Sequence, residues 1–151
     1  MKTVVDDFKK LCEIPHCSFE TAQMREFLAD FARSCGFSVS IDDVFNVHAV
    51  KGEPKICLQS HYDIVCVGEA PHLRLIEENG VLRAKNSTLG ADNGIGVAIM
   101  MGAMREFENL ECLFTNDEEV GLIGANGFKD KILSPNLLNL DSEEDDRVIL
   151  G

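Results

Sequence analysis

The chain has 151 residues, with 14 Lys and Arg against 26 Asp and Glu, a formal net charge of −12 and 45% hydrophobic residues. That length is about one domain, able to bury roughly two thirds of its unfolded surface. The acidic balance argues against nucleic acid and anionic membrane as partners, since both need basic surfaces, and it fits a site that attracts cations. An acidic surface that aids solubility explains the charge equally well.

The N-terminal "MKTVVDDFKK" lacks the apolar run of a signal peptide, and no later run approaches the ~18 residues a membrane span needs. Val4 to Cys12 reads as a short helix, ended by Pro15. Residues 18–35 carry Met24, Phe27, Leu28, Phe31, Ala32 and Cys35 on one helical stripe, with Ser18 as N-cap and Gly36 as stop. "FSVSIDD" and "NVHAV" read as strands around a polar turn, and "KICLQSH" as a third after Pro54. Asn79-Gly80 between two alternating runs predicts a hairpin. The glycine-rich "STLGADNGIG" then opens an apolar helix to about Glu106. "LECLFTN" is a strand, "DEEVGLIGANGF" a turn opening into a small-residue helix, and "NLLNLD" a last strand. Alternating strands and helices indicate an α/β layer architecture with a largely parallel or mixed sheet. The stop at Gly151, nine residues after Ser142, is read as a cut: the first part of something larger.

Six cysteines occur, none in CxxC spacing. Cys35, Cys57 and Cys112 fall in apolar stretches where a thiol is a small core residue, so the chain reads as a reduced, cytoplasmic protein.

The residues that carry chemistry share one kind of place. His61 and Asp63 follow the apolar "ICLQS", Glu118 and Glu119 follow "ECLFT", Asp141 follows "NLLNL", and Asp92 lies in the loop that opens a helix. In open α/β sheets ligands bind beyond the carboxyl ends of the strands. Carboxylates converging there would repel one another, and a divalent cation removes that cost. Imidazole with carboxylate suits zinc, and also manganese or cobalt. The glycine loop is not a phosphate cradle, because Ile99 stands where a third fingerprint glycine belongs, Asp92 would repel pyrophosphate, and no Walker lysine is present. The acidic run "DSEEDD" is not a calcium loop, since Asp146 occupies the position that needs glycine. His16, His48 and His72 have no comparable partners and read as structural. The plainest alternative makes all these acids a solvated rim.

"SHYD", "STLGADNGIG", "NDEEVGLIGA" and "LDSEE", in that order, resemble the aminoacyl-histidine dipeptidases of the cytosolic peptidase D type, within the wider group of two-metal aminopeptidases and carboxypeptidases. The likeness runs from "IPHCSFE" to the last strand. It implies a three-layer sandwich with a mixed, mostly parallel sheet, of which residues 1–151 are the N-terminal portion of the catalytic domain. The C-terminal half and a lid and dimerisation domain would lie outside these residues. It implies that His61 and Asp141 hold one zinc, that Asp92 bridges two metals, and that Glu119 holds the second. Asp63 would orient His61, and Glu118 would be the general base for a water held between the metals. The substrate would be a small peptide, of Xaa-His type or of broader kind, and the intact protein a homodimer. A further His ligand would come from the later half. The chain alone is therefore expected to be inactive, and to self-associate through an apolar sheet edge or face. The alternative is a truncated, non-catalytic α/β module that binds one metal ion.

Overall fold

The computed structural model describes residues 3–142; the acidic run from Glu143 to Asp146 lies outside them. Thr3 begins the fold by capping α1 (Val4–Leu11). Its hydroxyl accepts the Asp6 N–H, while the Asp6 carboxylate accepts the Thr3 N–H, a reciprocal capping box. Helix α2 spans Ala22–Ser34 and buries Met24, Leu28, Ala29 and Ala32. It starts after Thr21 and not after Ser18, because the Ser18 hydroxyl is spent elsewhere, on Asp63. Gly36, at φ +85°, lets the chain leave the helix as expected.

The strands are β1 (Ser38–Ile41), β2 (Val47–Lys51), β3 (Cys57–His61), β6 (Leu110–Thr115) and β7 (Leu137–Asn139), ordered β1-β2-β6-β3-β7 in one sheet. The sheet is mixed. β1 with β2 and β2 with β6 are antiparallel, whereas β6, β3 and β7 run parallel. A polar turn joins β1 to β2, with the Asp42 carboxylate accepting the Val44 and Asn46 N–H groups, and so short a link permits only antiparallel pairing. β4 (Leu75–Glu78) and β5 (Val81–Ala84) form the predicted hairpin as a separate two-stranded sheet, with Asn79 and Gly80 both at positive φ.

Helix α3 (Ala91–Glu106) lies on the sheet against β3 and β6, with α1 packed on α3 and α2 on β1 and β2. Phe8, Leu11, Leu28, Val97, Met100, Met104, Val47, Leu58 and Phe114 meet there in one core. The predicted small-residue helix is only one turn, α4 (Ile123–Gly127). On the sheet's opposite face, residues 128–134 lie against His48 and Glu111. The Phe128 ring meets His48 edge-on, and the Leu133 and Ser134 N–H groups donate to the Glu111 carboxylate.

Cys57 and Cys112 are fully buried, and burial pushes the Cys57 thiol up to about 12. Two other cysteines depart from the sequence reading. Cys17 and Cys66, 49 positions apart, form a disulfide with Cα atoms 5.5 Å apart. Spacing along the chain concealed the pair, because it is the short parallel bridge between Cys17 and Ile64 that brings the two segments together.

Candidate metal centre

Parallel pairing decides the location of the site. In the β3–β6 ladder His61 stands opposite Thr115, so Glu118 and Glu119 begin just past the same sheet edge. In the β3–β7 ladder Gln59 stands opposite Asn139, and Leu140 N–H still donates to Gln59 O at 2.8 Å, which brings Asp141 alongside His61.

Asp92 reaches the same point from α3. Its φ −89°, ψ 110° and the Asn93 φ −112°, ψ 39° break the helical path within the opening turn. Gly90, at φ +73°, supplies a left-handed turn before it. Gly96 supplies close approach: a Cβ there would lie 2.3 Å from Asn93 Oδ1 and 2.7 Å from Ser60 Oγ. The buried Asn93 accepts the Gly96 N–H at 3.0 Å and donates to Leu140 O at 3.3 Å, tying the Asp92 turn to the chain beside Asp141.

His61 is 1% exposed and sits at the centre. Its Nδ1 lies 3.0 Å from the Asp63 carbonyl oxygen, which can only accept, so Nδ1 carries a proton and Nε2 faces the acids. Nε2 is 3.1 Å from Asp92 Oδ1, 3.7 Å from Asp141 Oδ2 and 3.8 Å from Glu118 Oε2. A tetrahedral cation with bonds of ~2.0–2.2 Å separates its ligands by roughly 3.3–3.6 Å. These spacings and this donor set fit a divalent cation. Two overlapping groups have all ligand atoms within 4.8 Å of one another: His61, Glu118 and Asp141, and His61, Asp92 and Glu119. All six expected site residues are thus gathered at one place.

The electrostatics match this crowding. Burial alone would lower the His61 pKa, but Asp63, Asp92 and Asp141 outweigh it and raise it to about 9. Burial also disfavours charge on Asp63, yet His61, the Glu118 N–H and the Ser18 hydroxyl hold its carboxyl below the usual range. Glu118 and Glu119 are both pushed up, first by burial and then by the neighbouring carboxylates.

Asp63 does more than orient His61. Its carboxylate accepts the Glu118 N–H at 2.8 Å, the Glu119 N–H at 3.3 Å and the Ser18 hydroxyl at 2.8 Å. Sequence reasoning missed Ser18, taken as a helix cap, and Asn93, whose only signal was a polar side chain following Asp92 amid glycines. His48, read as structural, lies 2.7 Å from the buried Glu111 carboxylate, away from this site. His16 is buried with its ring donating to Ile14 O, a structural role as expected.

Residues 46–144 match the family model of peptidase family M28. The cytosol non-specific dipeptidase of Escherichia coli (strain K12) is 32% identical over 167 aligned positions, which take in 97% of this chain and 34% of that protein. The crystal structure of aminoacylhistidine dipeptidase from Vibrio alginolyticus superposes with a TM-score of 0.84 at 31% identity, covering 94% of this chain and 33% of that one. A tripeptidase from Staphylococcus aureus shares the fold, with a TM-score of 0.83 at 22% identity over 94% of this chain and 43% of the other. The chain therefore spans about a third of the length of the two dipeptidases it matches.

Proposed function

This chain belongs to peptidase family M28, and from that premise we propose that the protein is a metal-dependent dipeptidase whose cations are held by His61, Asp92, Glu119 and Asp141. The observation that carries the reading is the convergence of Asp92, Glu118 and Asp141 on Nε2 of one buried histidine, with Glu119 grouped beside Asp92. Zinc is the metal proposed, and manganese or cobalt suit the same ligands. Cations bound there polarise the scissile carbonyl and lower the pKa of water.

The chain's own residues do the rest. Glu118, with its pKa raised by burial and by its acidic neighbours, takes a proton from the attacking water and passes it to the leaving amine. Asp63 fixes the His61 tautomer and holds the Glu118 and Glu119 backbone in place. A groove of about 490 Å³ beside Asp92 and Asp141, lined also by Ile95 and Ile99, has room for a small peptide with an apolar side chain. On this reading residues 1–151 are the N-terminal portion of a cytoplasmic catalytic domain, and a lid that completes the substrate site and a homodimer belong to the longer protein.

A second reading has an observation in its favour. Both ligand groups share His61, whose Nδ1 is engaged by Asp63, so its single free nitrogen serves one cation. A second cation would keep only Asp92 and Glu119. These residues alone would then form a one-metal, non-catalytic module.

Zinc titration of the 151-residue chain tests the site, and dipeptide hydrolysis tests the chemistry. We expect one tight site, lost in His61→Ala. In any preparation that turns over, Glu118→Gln should keep the metal and lower kcat by about 10²–10⁴. Zinc affinity unchanged in His61→Ala, or hydrolysis indifferent to Glu118→Gln, refutes the assignment.

A further inference from the structure

Residues 16–21, "HCSFET", touch both halves of the metal centre. On one side the Ile64 N–H donates to His16 O at 3.1 Å and the Ser18 N–H to Ile64 O at 3.2 Å, while the Ser18 hydroxyl reaches Asp63. On the other side the Phe19 N–H donates to Asp117 Oδ1 at 2.7 Å, and the Thr21 hydroxyl to Asn116 Oδ1 at 2.7 Å. Asn116 in turn donates to the Asp117 carboxylate at 2.8 Å. The segment thus spans from the chain after His61 to the chain before Glu118 and Glu119. Phe19 takes φ +66°, a left-handed conformation that an aromatic residue rarely adopts, and it is 71% exposed, so its side chain gains little in return. Such a segment needs anchoring, and the Cys17–Cys66 disulfide is its one covalent anchor. Cys66 lies just beyond Asp63 and Ile64, and both sulfur-bearing residues are half-buried, within reach of a small reductant.

We propose that the Cys17–Cys66 disulfide locks residues 16–21 as a positioning bracket for the metal centre, so that a dithiol reductant, by opening it, weakens metal binding. The inference rests on the metal-site reading above. In the step, the dithiol gives two electrons and two protons to the S–S bond. The protein gains two thiols and the reductant leaves as its own disulfide. Without the bond the bracket keeps only hydrogen bonds, and Asp63 loses the fixed position from which its carbonyl sets His61 and its carboxylate holds Glu118 and Glu119. Disturbing groups that orient ligands weakens metal affinity about 10–100-fold.

The test titrates zinc alone against a chromophoric chelator. It uses the oxidised chain, and the same chain reduced with dithiothreitol and freed of it anaerobically, since dithiols bind zinc. We expect the dissociation constant to rise about tenfold on reduction and to recover on reoxidation. Cys17→Ser/Cys66→Ser should bind as weakly as the reduced chain and ignore reductant, which separates loss of the bracket from zinc capture by new thiols. Amide exchange at Glu118 and Glu119 should quicken on reduction, a readout independent of activity. Equal zinc affinity in both states, or alkylation of all six cysteines without prior reduction, overturns the proposal. Failure of the oxidised chain to bind zinc at all overturns the metal-site reading with it, whereas equal binding in both states sinks the bracket alone.

Discussion

Asp63 accepts the backbone N–H of Glu118 at 2.8 Å, joining the loop after β3 to the loop after β6 through one buried carboxylate. The same side chain takes the Glu119 N–H and the Ser18 hydroxyl, so three donors converge on two oxygens. Replacing it with an amide sets an NH₂ group against one of those donors. Asp63→Asn should therefore weaken zinc binding about 10–100-fold and cost about 1–3 kcal/mol in stability. Zinc titration and urea denaturation measure the two effects separately, and wild-type zinc affinity in a folded Asp63→Asn chain would contradict the positioning role.

Glycines at two positions should respond in opposite ways to alanine. Gly102 lies within α3 with open space where a Cβ would go, so Gly102→Ala should stabilise by about 0.5–1 kcal/mol through lower chain entropy. A Cβ at Gly124 would lie 2.3 Å from Asn46 Oδ1 and 2.4 Å from Asn116 O, in the packing that holds the loop before Glu118. Gly124→Ala should lower stability by more than Gly102→Ala raises it. Thermal melts of both variants decide this, and equal melting temperatures would count against the packing argument.

The alternation of apolar runs with turn residues was enough to read most elements: α1, the Asn79-Gly80 hairpin, α3 and the strands ending at His61 and Thr115. The ligand-type residues were legible for a related reason. Position at or just past a strand end survives any packing of parallel neighbours, and His61, Glu118 and Asp141 needed only that. What stayed hidden depends on contacts between distant segments. Ser18 is a sound N-cap by its local sequence, and only the approach of Asp63, 45 positions away, diverts it. Cys17 and Cys66 carry no spacing signal, and the Glu111 carboxylate looks like an ordinary strand-edge acid until residues 128–134 fold over it.

The apolar edge predicted for the sheet lies at β7. Leu137 and Leu138 are 52% and 40% exposed on a strand hydrogen-bonded on one side only among the described residues. Such an edge is a template for pairing with another chain. Isolated residues 1–151 should self-associate with rising concentration, and Leu138→Lys should suppress it. Sedimentation showing a strict monomer at high concentration would rule this out.

Glu111 gives a prediction on pH. Its carboxylate is fully buried on β6 and accepts the Leu133 N–H at 2.9 Å, the Ser134 N–H at 2.7 Å and a ring N–H of His48 at 2.7 Å. Burial opposes its charge, but those donors outweigh burial and hold its pKa below the ordinary 4.5. A carboxylate with a depressed folded pKa binds its proton more readily when unfolded. Its contribution to stability is therefore complete above about pH 4.5 and is lost as pH falls through the lower, folded value. Glu111→Gln keeps the shape but places an amide NH₂ against backbone donors, at a cost of about 2–4 kcal/mol at neutral pH. Denaturation series at descending pH should show wild type losing its advantage over Glu111→Gln only below about pH 4.5. A gap between the two that stays constant down to acid unfolding would mean that the carboxylate's charge is not what holds residues 128–134 on the sheet.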